Sequence, residues 1–557
     1  MSVVFFKLDR QQDLDPDLVN GLSGHRIGVV TPEPRDKVRA LLKKRKLDDR
    51  VEFIVADGEN WYEQAVTQTG ADPEQILYVN ADRASLLRAE MYGIRGVVDP
   101  LQVPAALSLP PINISGLAAC TADARDAALD GDAGPDNETN FQRMLQRLEA
   151  SKVRLPPLYL GAAQEPFAAT LETLGPSGFT DVLVNEADST GLLLLDISHS
   201  IIQNGERFQD TATDAFEEVV TDLYDGFLSA QDRKGIKQPD RAVLPPLVKW
   251  GNPADGPYTW PIDATSSFGV QCAVVNLPPA NAAGGIMAWA ALGHETAGHD
   301  ILHADHGLEA ELAQAVHDKL LALDSGLAAY WSQRIDETAS DVMGILNMGP
   351  APAIGMISFF RGLIDASGHG PHLRTSGPAS DPHPADILRG YLGAATVRHL
   401  SFAGASDWAK VIDAETEKDA RPTFNIAGRS IAKAKAKQSA QIVAETIATF
   451  KTNVLNNHAL IEIQDWRNED EAIVQQLIPV LTSTAPLPAG ITGAGVYAAH
   501  VVAASVMAAL AKKGTPAAIF KRMIATLKSM HDLNPAWGPM RVLHPSSLYR
   551  DFAYRMH

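Results

Sequence analysis

His294-Glu295-Thr296-Ala297-Gly298-His299 sets two imidazoles and a carboxylate within six residues of a helical pattern. Forty-three positions on (337 − 294), Glu337 stands inside Asp336-Glu337-Thr338-Ala339-Ser340-Asp341, which reads as a second helix. Two imidazoles and a carboxylate can hold a divalent ion and leave a position open for water. The carboxylate next to the first imidazole can take a proton from that water. The combination implies a metal-dependent hydrolase built around two helices.

The spacing sets a geometric condition. In the common HExxH arrangement, four residues stack both imidazoles on one helix face. Five residues turn through about 500°, leaving the rings roughly 140° apart on a regular helix. Convergence then requires a local i→i+5 turn, and Gly298 lowers the steric cost of one. A second register lies in the same run: His299-Asp300-Ile301-Leu302-His303 has i, i+4 spacing, with Asp300 as base and His306 as a further imidazole. A His-rich polar helix that binds no metal is the third alternative. The apolar run Ala283–Gly293 ahead of the motif suits either a dry metal pocket or an ordinary core helix.

His-Glu-x-x-Gly-His resembles the HExxxH motif of the dipeptidyl peptidase III family, zinc-dependent gluzincin exopeptidases. That family carries a second motif of two acids followed, four beyond the second, by another. Residues 336–341 match it position by position. The resemblance implies Zn²⁺ held by His294, His299 and Glu337, with Glu295 as general base. It also implies that Asp336 and Asp341 orient the ligand imidazoles through their other ring N–H.

Candidates that could complete such a site follow in sequence. Ser380-Asp381-Pro382-His383-Pro384-Ala385-Asp386-Ile387-Leu388-Arg389-Gly390-Tyr391 resembles the His-Pro…Arg segment after the third ligand in other gluzincin endopeptidases. The resemblance implies that His383 faces the metal from the substrate side and stabilises an oxyanion, with Arg389 structural or substrate-binding. Tyr391, His369 and His372 are further catalytic candidates. Val270–Asn276 is a short β-rich run, read as an edge strand beside the zinc or a plain core strand. Gluzincins add substrate backbone to such an edge.

The N-terminal region alternates strand and helix patterns, with strands expected at Val3–Lys7, Arg26–Val30, Val51–Val55, Ile76–Val79 and Gly96–Val98. Helices are expected at Pro34–Lys44 and Ala84–Tyr92, so a parallel, doubly wound sheet follows. Thr31 and the segment from Ile76 to Val98 resemble the haloacid-dehalogenase-like fold. Its first motif is broken, because Asp9 is followed by Arg10 and Gln11 and lacks the acid two positions on, which implies a catalytically silent domain. Leu158–Leu160, Pro166–Leu174 and Val182–Asn185 form a further strand–helix–strand pattern. Leu244-Pro245-Pro246 and Pro253–Pro261 read as connectors. Helices are expected at Ile426–Asn456, Glu469–Leu481, Val496–Lys513 and Pro516–Met530.

The expected fold is an α+β multidomain chain. A Rossmann-like α/β domain covers 1–115 and a linker with an α/β extension covers 116–190. A zincin-like, mostly α-helical catalytic domain covers 191–400 and a helical subdomain covers 401–557.

The 557 residues exceed what one core holds. A formal charge of −19 disfavours nucleic acid and anionic membrane surfaces as partners. Met1–Asp9 lacks the pattern of a signal peptide, and the apolar run Val496–Ala511 falls short of the ~20 residues needed to span a bilayer. Cytoplasmic location is therefore expected. Cys120 and Cys272 form no CxxC pair and are expected to be free, buried thiols. The function implied is a zinc metallopeptidase acting on peptides. Two alternatives stay open: a non-peptidase zinc hydrolase acting on a small amide or ester, and a non-enzymatic interaction protein with degenerate sites.

Overall fold

The computed structural model describes residues 2–8, 14–58, 60–108, 111–131, 134–135, 137–185, 189–206, 208–228, 233–240, 244–253, 255–486 and 496–533. Asp9, Arg10 and Gln11 lie outside the described residues. The chain divides into two units, Met1–Ile112 with Arg398–Val411, and Asn113–Val397 with Ile412–His557. The boundary expected at 115 thus falls at 112. Segments 116–190, 191–400 and 401–557 do not form separate units.

The first unit is built on β1 (Val3–Lys7), β2 (Arg26–Thr31), β3 (Val51–Ala56), β4 (Ile76–Val79) and β5 (Arg95–Val97). All pairings are parallel, in the order β3-β2-β1-β4-β5. Alternation along the strands divides the apolar side chains between two cores. Val4, Phe6, Val29 and Leu77 belong to one. Val3, Phe5, Val30 and Tyr78 belong to the other. A sheet covered on both faces explains the near-continuous apolar strands read in the sequence. Arg398–Val411 completes this unit. Ala403 enters the first core, Arg398 Nε meets Glu90 Oε2 at 2.6 Å, and Arg95 holds Asp407 through two contacts of 2.6 and 3.0 Å.

The second unit is mostly helical, with two three-stranded sheets: β6 (Leu244–Trp250), β7 (Tyr258–Trp260) and β8 (Cys272–Leu277) in the order β6-β8-β7, and a smaller one that pairs Ser376–Gly377 with Thr423–Ile426 and Arg429–Ala432. Several expectations are corrected here. The α/β extension is helical: Pro157–Tyr159 and Glu165–Val184 occupy the two expected strands. Short apolar runs carry no period of their own, and Pro157 at a helix start favours the turn. Leu244-Pro245-Pro246 is strand, not connector. Its prolines, which cannot donate to a ladder, sit where the register shifts between Leu244 and Leu247. Likewise, β7 lies inside the proline-rich segment 253–261. Residues 423–432 form a hairpin through Ala427 and Gly428, both at positive φ (48° and 77°), before the helix Lys433–Thr449.

The four helices that carry the site are α1 (Ile286–Ala297), α2 (Ile335–Met348), α3 (Ala351–Ala366) and α4 (Asp386–Val397). Cys120 and Cys272 are buried and unpaired, and burial pushes both thiols up to about 12. Among the described residues no helix is long and apolar enough to cross a membrane.

Candidate metal centre

Helix α1 starts at Gly285, whose φ of 69° turns the chain, and the Ile286 N–H donates to Asp123 Oδ2 at 2.9 Å. It then crosses α2 with backbone against backbone. A Cβ on Gly344 would lie 2.8 Å from Gly293 C and 2.9 Å from His294 N. Asp341 and Glu337 lie three and seven residues before Gly344 on the same helix face. The crossing therefore delivers both carboxylates to His294.

The expected i→i+5 turn is corrected. Helix α1 ends at Ala297, the Gly298 N–H donates to His294 O at 3.2 Å, and His299 lies in the turn beyond. Ending the helix frees the chain to swing the second imidazole back. The glycine is needed for another reason than backbone strain, since its φ is −90°. A Cβ there would lie 2.0 Å from both Cα and Oγ of Ser340 on α2. Gly298→Ala must push the turn off α2. We expect about 1–3 kcal/mol of lost stability together with weakened metal binding, read by thermal melting and zinc content. A variant that melts and loads metal as the wild type does would contradict the contact.

The two Nε2 atoms of His294 and His299 stand 3.1 Å apart. Glu337 Oε2 is 3.4 Å from the first and Oε1 3.7 Å from the second. Behind the rings, His294 Nδ1 meets Asp341 Oδ1 at 2.8 Å and His299 Nδ1 meets Asp336 Oδ2 at 2.7 Å. An imidazole donating Nδ1–H to a carboxylate presents a lone pair at Nε2. Among the described residues, His294, His299 and Glu337 are the one trio of His, Cys, Asp or Glu whose ligand atoms all lie within 4.8 Å of one another. Glu337 Oε2 is buried and accepts no hydrogen bond from a described residue. Two imidazole nitrogens and a carboxylate facing one another fit a zinc ion.

Arg389 closes the back of the cluster. Its Nε and Nη2 reach the two oxygens of buried Asp341 at 2.8 and 2.7 Å. Burial alone would lower the His294 pKa, but the Asp341 and Glu337 carboxylates outweigh it and raise it. Burial would raise Glu337, yet the His294 imidazole and the Arg389 guanidinium hold it below the usual carboxylate range. His294 therefore carries a proton at neutral pH when no metal is bound. A ligand imidazole must be neutral, so binding expels that proton and metal affinity falls as pH drops. Calorimetric zinc titration in buffers of different ionisation enthalpy should report at least one proton released at pH 7. A count of zero would contradict the charge assignment.

Glu295 lies beside the trio and is buried. Thr259 on β7 holds it: Thr259 Oγ1 lies 3.1 Å from Glu295 Oε2 and 3.0 Å from Glu295 O. His383 also reaches the cluster, with Nε2 3.3 Å from Glu337 Oε1. Its loop is pinned by Arg334, whose Nη2 donates to the carbonyls of Ala379 and Asp381 at 2.9 and 2.7 Å. Asp381 Oδ1 in turn accepts from the His383 N–H at 2.9 Å.

Other candidates do not converge. Tyr391 is buried, with Phe424 beside its ring and Lys437 Nζ 5.1 Å from the ring centroid. It follows Arg389 by two residues, a rotation of about 200° that turns it from the cluster. His369 Nδ1 pairs with Ser367 Oγ at 3.0 Å, and His372 Nδ1 donates to Gly370 O at 2.9 Å. In the other register, His303 Nε2 lies 3.6 Å from Asp336 Oδ1, and buried Asp300 accepts from the Ile262 N–H at 2.8 Å.

Of the two readings of Val270–Asn276, the core strand holds: the run forms β8, the central strand. The edge beside Glu295 is β7, which sequence reading missed because prolines flank it. Reading also missed the apolar wall from α3, whose Met356, Phe359, Phe360, Leu363 and Ile364 line a cleft of roughly 340 Å³ with His294, Glu295, His383 and Arg389. The apolar spacing of α3 was legible. Which of its faces stays open was not.

No protein-family model, curated protein or solved structure matches the chain.

Proposed function

We propose that the chain is a cytoplasmic zinc metallopeptidase of the gluzincin type, its larger unit a zincin-like catalytic region distantly similar to dipeptidyl peptidase III. The observation that carries this is the meeting of His294, His299 and Glu337, with a carboxylate behind each imidazole and Glu295 alongside. Zinc at such a trio supplies a Lewis acid that polarises a carbonyl and makes water acidic enough to be deprotonated near neutral pH.

The remaining chemistry belongs to the chain. Glu295 takes the proton from the attacking water, holds it at Oε2 within reach of the Thr259 hydroxyl, and returns it to the leaving amine. His383, half-exposed at the mouth of the cleft, donates to the oxyanion of the tetrahedral intermediate. Asp336 and Asp341 fix the orientation of the imidazoles. The open edge of β7 offers backbone groups to an extended peptide.

Elemental analysis of the purified protein should give stoichiometric zinc. Hydrolysis of a peptide mixture should vanish on chelation and return when zinc is restored. Metal-free protein as purified, or hydrolysis indifferent to chelation, would sink the proposal.

A further inference from the structure

Helix α3 is apolar on two faces. Ala353, Ile354, Ile357 and Ser358 are buried in the core, and Gly362 lies so close to helix Leu117–Leu129 that a Cβ would sit 2.8 Å from Ala124 Cβ. The second face, Met356, Phe359, Phe360, Leu363 and Ile364, follows the i, i+3, i+4, i+7, i+8 spacing of a buried stripe. It nevertheless lines the open cleft, and Leu363 keeps 37% of its surface exposed. Such a stripe facing water marks a place for an apolar ligand.

The cations that reach the cleft are already engaged. Arg374 holds Asp386 at 2.8 and 2.9 Å and Asp381 at 3.1 Å. Arg389 holds Asp341, and its guanidinium lies 4.8 Å from the Phe360 ring centroid, which fixes that ring. Neither offers a free charge to an anionic group. The wall lines the same cleft as His294 and Glu295, so a group seated on it shares that cleft with the reacting bond.

We infer that this wall receives a bulky apolar side chain flanking the scissile bond, so that the substrates are peptides with phenylalanine, leucine or a similar residue there. This rests on the peptidase reading above, and the test separates the two.

Quenched fluorescent peptides Ala-Ala-Xaa-Ala-Ala, with Xaa as Phe, Leu, Ala, Lys or Glu, are assayed with the zinc-loaded protein, and the cut bond is located by mass spectrometry. Phe and Leu should exceed the others by about tenfold or more in kcat/KM, with cleavage beside Xaa. Leu363→Lys, at a half-exposed position that tolerates polarity, should bring the Phe/Ala ratio close to one. A second measurement needs no catalysis: calorimetry on the metal-free protein should show the Phe peptide binding about tenfold tighter than the Ala peptide, a difference lost in Leu363→Lys. Preferential binding with no cleavage of any peptide supports the apolar subsite and removes the peptidase. Cleavage without preference for Phe or Leu, or equal binding of both peptides, overturns the inference.

Discussion

Glu337→Ala is expected to leave the protein without stoichiometric metal, whereas Glu295→Gln should bind metal normally and lose about 10²–10⁴-fold in kcat. The contrast follows from position. Glu337 lies between the imidazoles, its oxygens 3.4 and 3.7 Å from their Nε2 atoms. Without it two ligands remain, and His294 and Arg389 lose a balancing charge. Glu295 is held from the side by Thr259, and an amide of the same shape keeps that contact while removing the base. Metal analysis, peptide hydrolysis and a melting curve on each variant distinguish the outcomes. Retained metal and retained activity in both would mean that the cluster is not the working site.

Arg389→Ala is expected to give the largest loss of stability of any single change at the centre, about 3–5 kcal/mol. Asp341 is buried and each of its two oxygens accepts a hydrogen bond from this guanidinium. Truncation leaves a carboxylate in a dry interior with only an imidazole beside it. The double variant Arg389→Met with Asp341→Leu should recover most of the stability, because two matched apolar groups can replace a buried ion pair. It should not recover metal affinity. His294 Nδ1 would have lost its acceptor, a change that costs about 10–100-fold in comparable sites. Urea unfolding and zinc titration read the two effects separately. Equal stability of Arg389→Ala and wild type would show that water solvates Asp341.

The five strands of the first unit were legible to within a residue or so, because a sheet covered on both faces writes long Val- and Ile-rich runs into the sequence. The trio was legible as two short motifs, while the carboxylates behind its imidazoles came from a family resemblance and not from spacing. What failed had local causes. Val182–Asn185 looked like a strand because four residues carry no helical period, yet all but Asn185 belong to the helical stretch that follows the kink at Gly175. The Leu244–Pro246 stretch looked like a connector because prolines interrupt ladders, and the strand accommodates them by a register shift. The role of Gly298 was misread as backbone freedom, since its contact with Ser340 depends on a helix crossing that no local pattern encodes. Tyr391 was a candidate because it is a phenol in the segment after the second ligand helix, and its rotation of about 200° from Arg389 takes it away from the cluster.

The return of Arg398–Val411 to the parallel-sheet unit has a consequence for biosynthesis. As the chain emerges from a ribosome, Glu90 and Arg95 await Arg398 and Asp407, which are translated some three hundred codons later (398 − 90 = 308; 407 − 95 = 312). The first part made is thus among the last finished, and a fragment ending at residue 112 would lack both salt partners and the Ala403 contribution to its core.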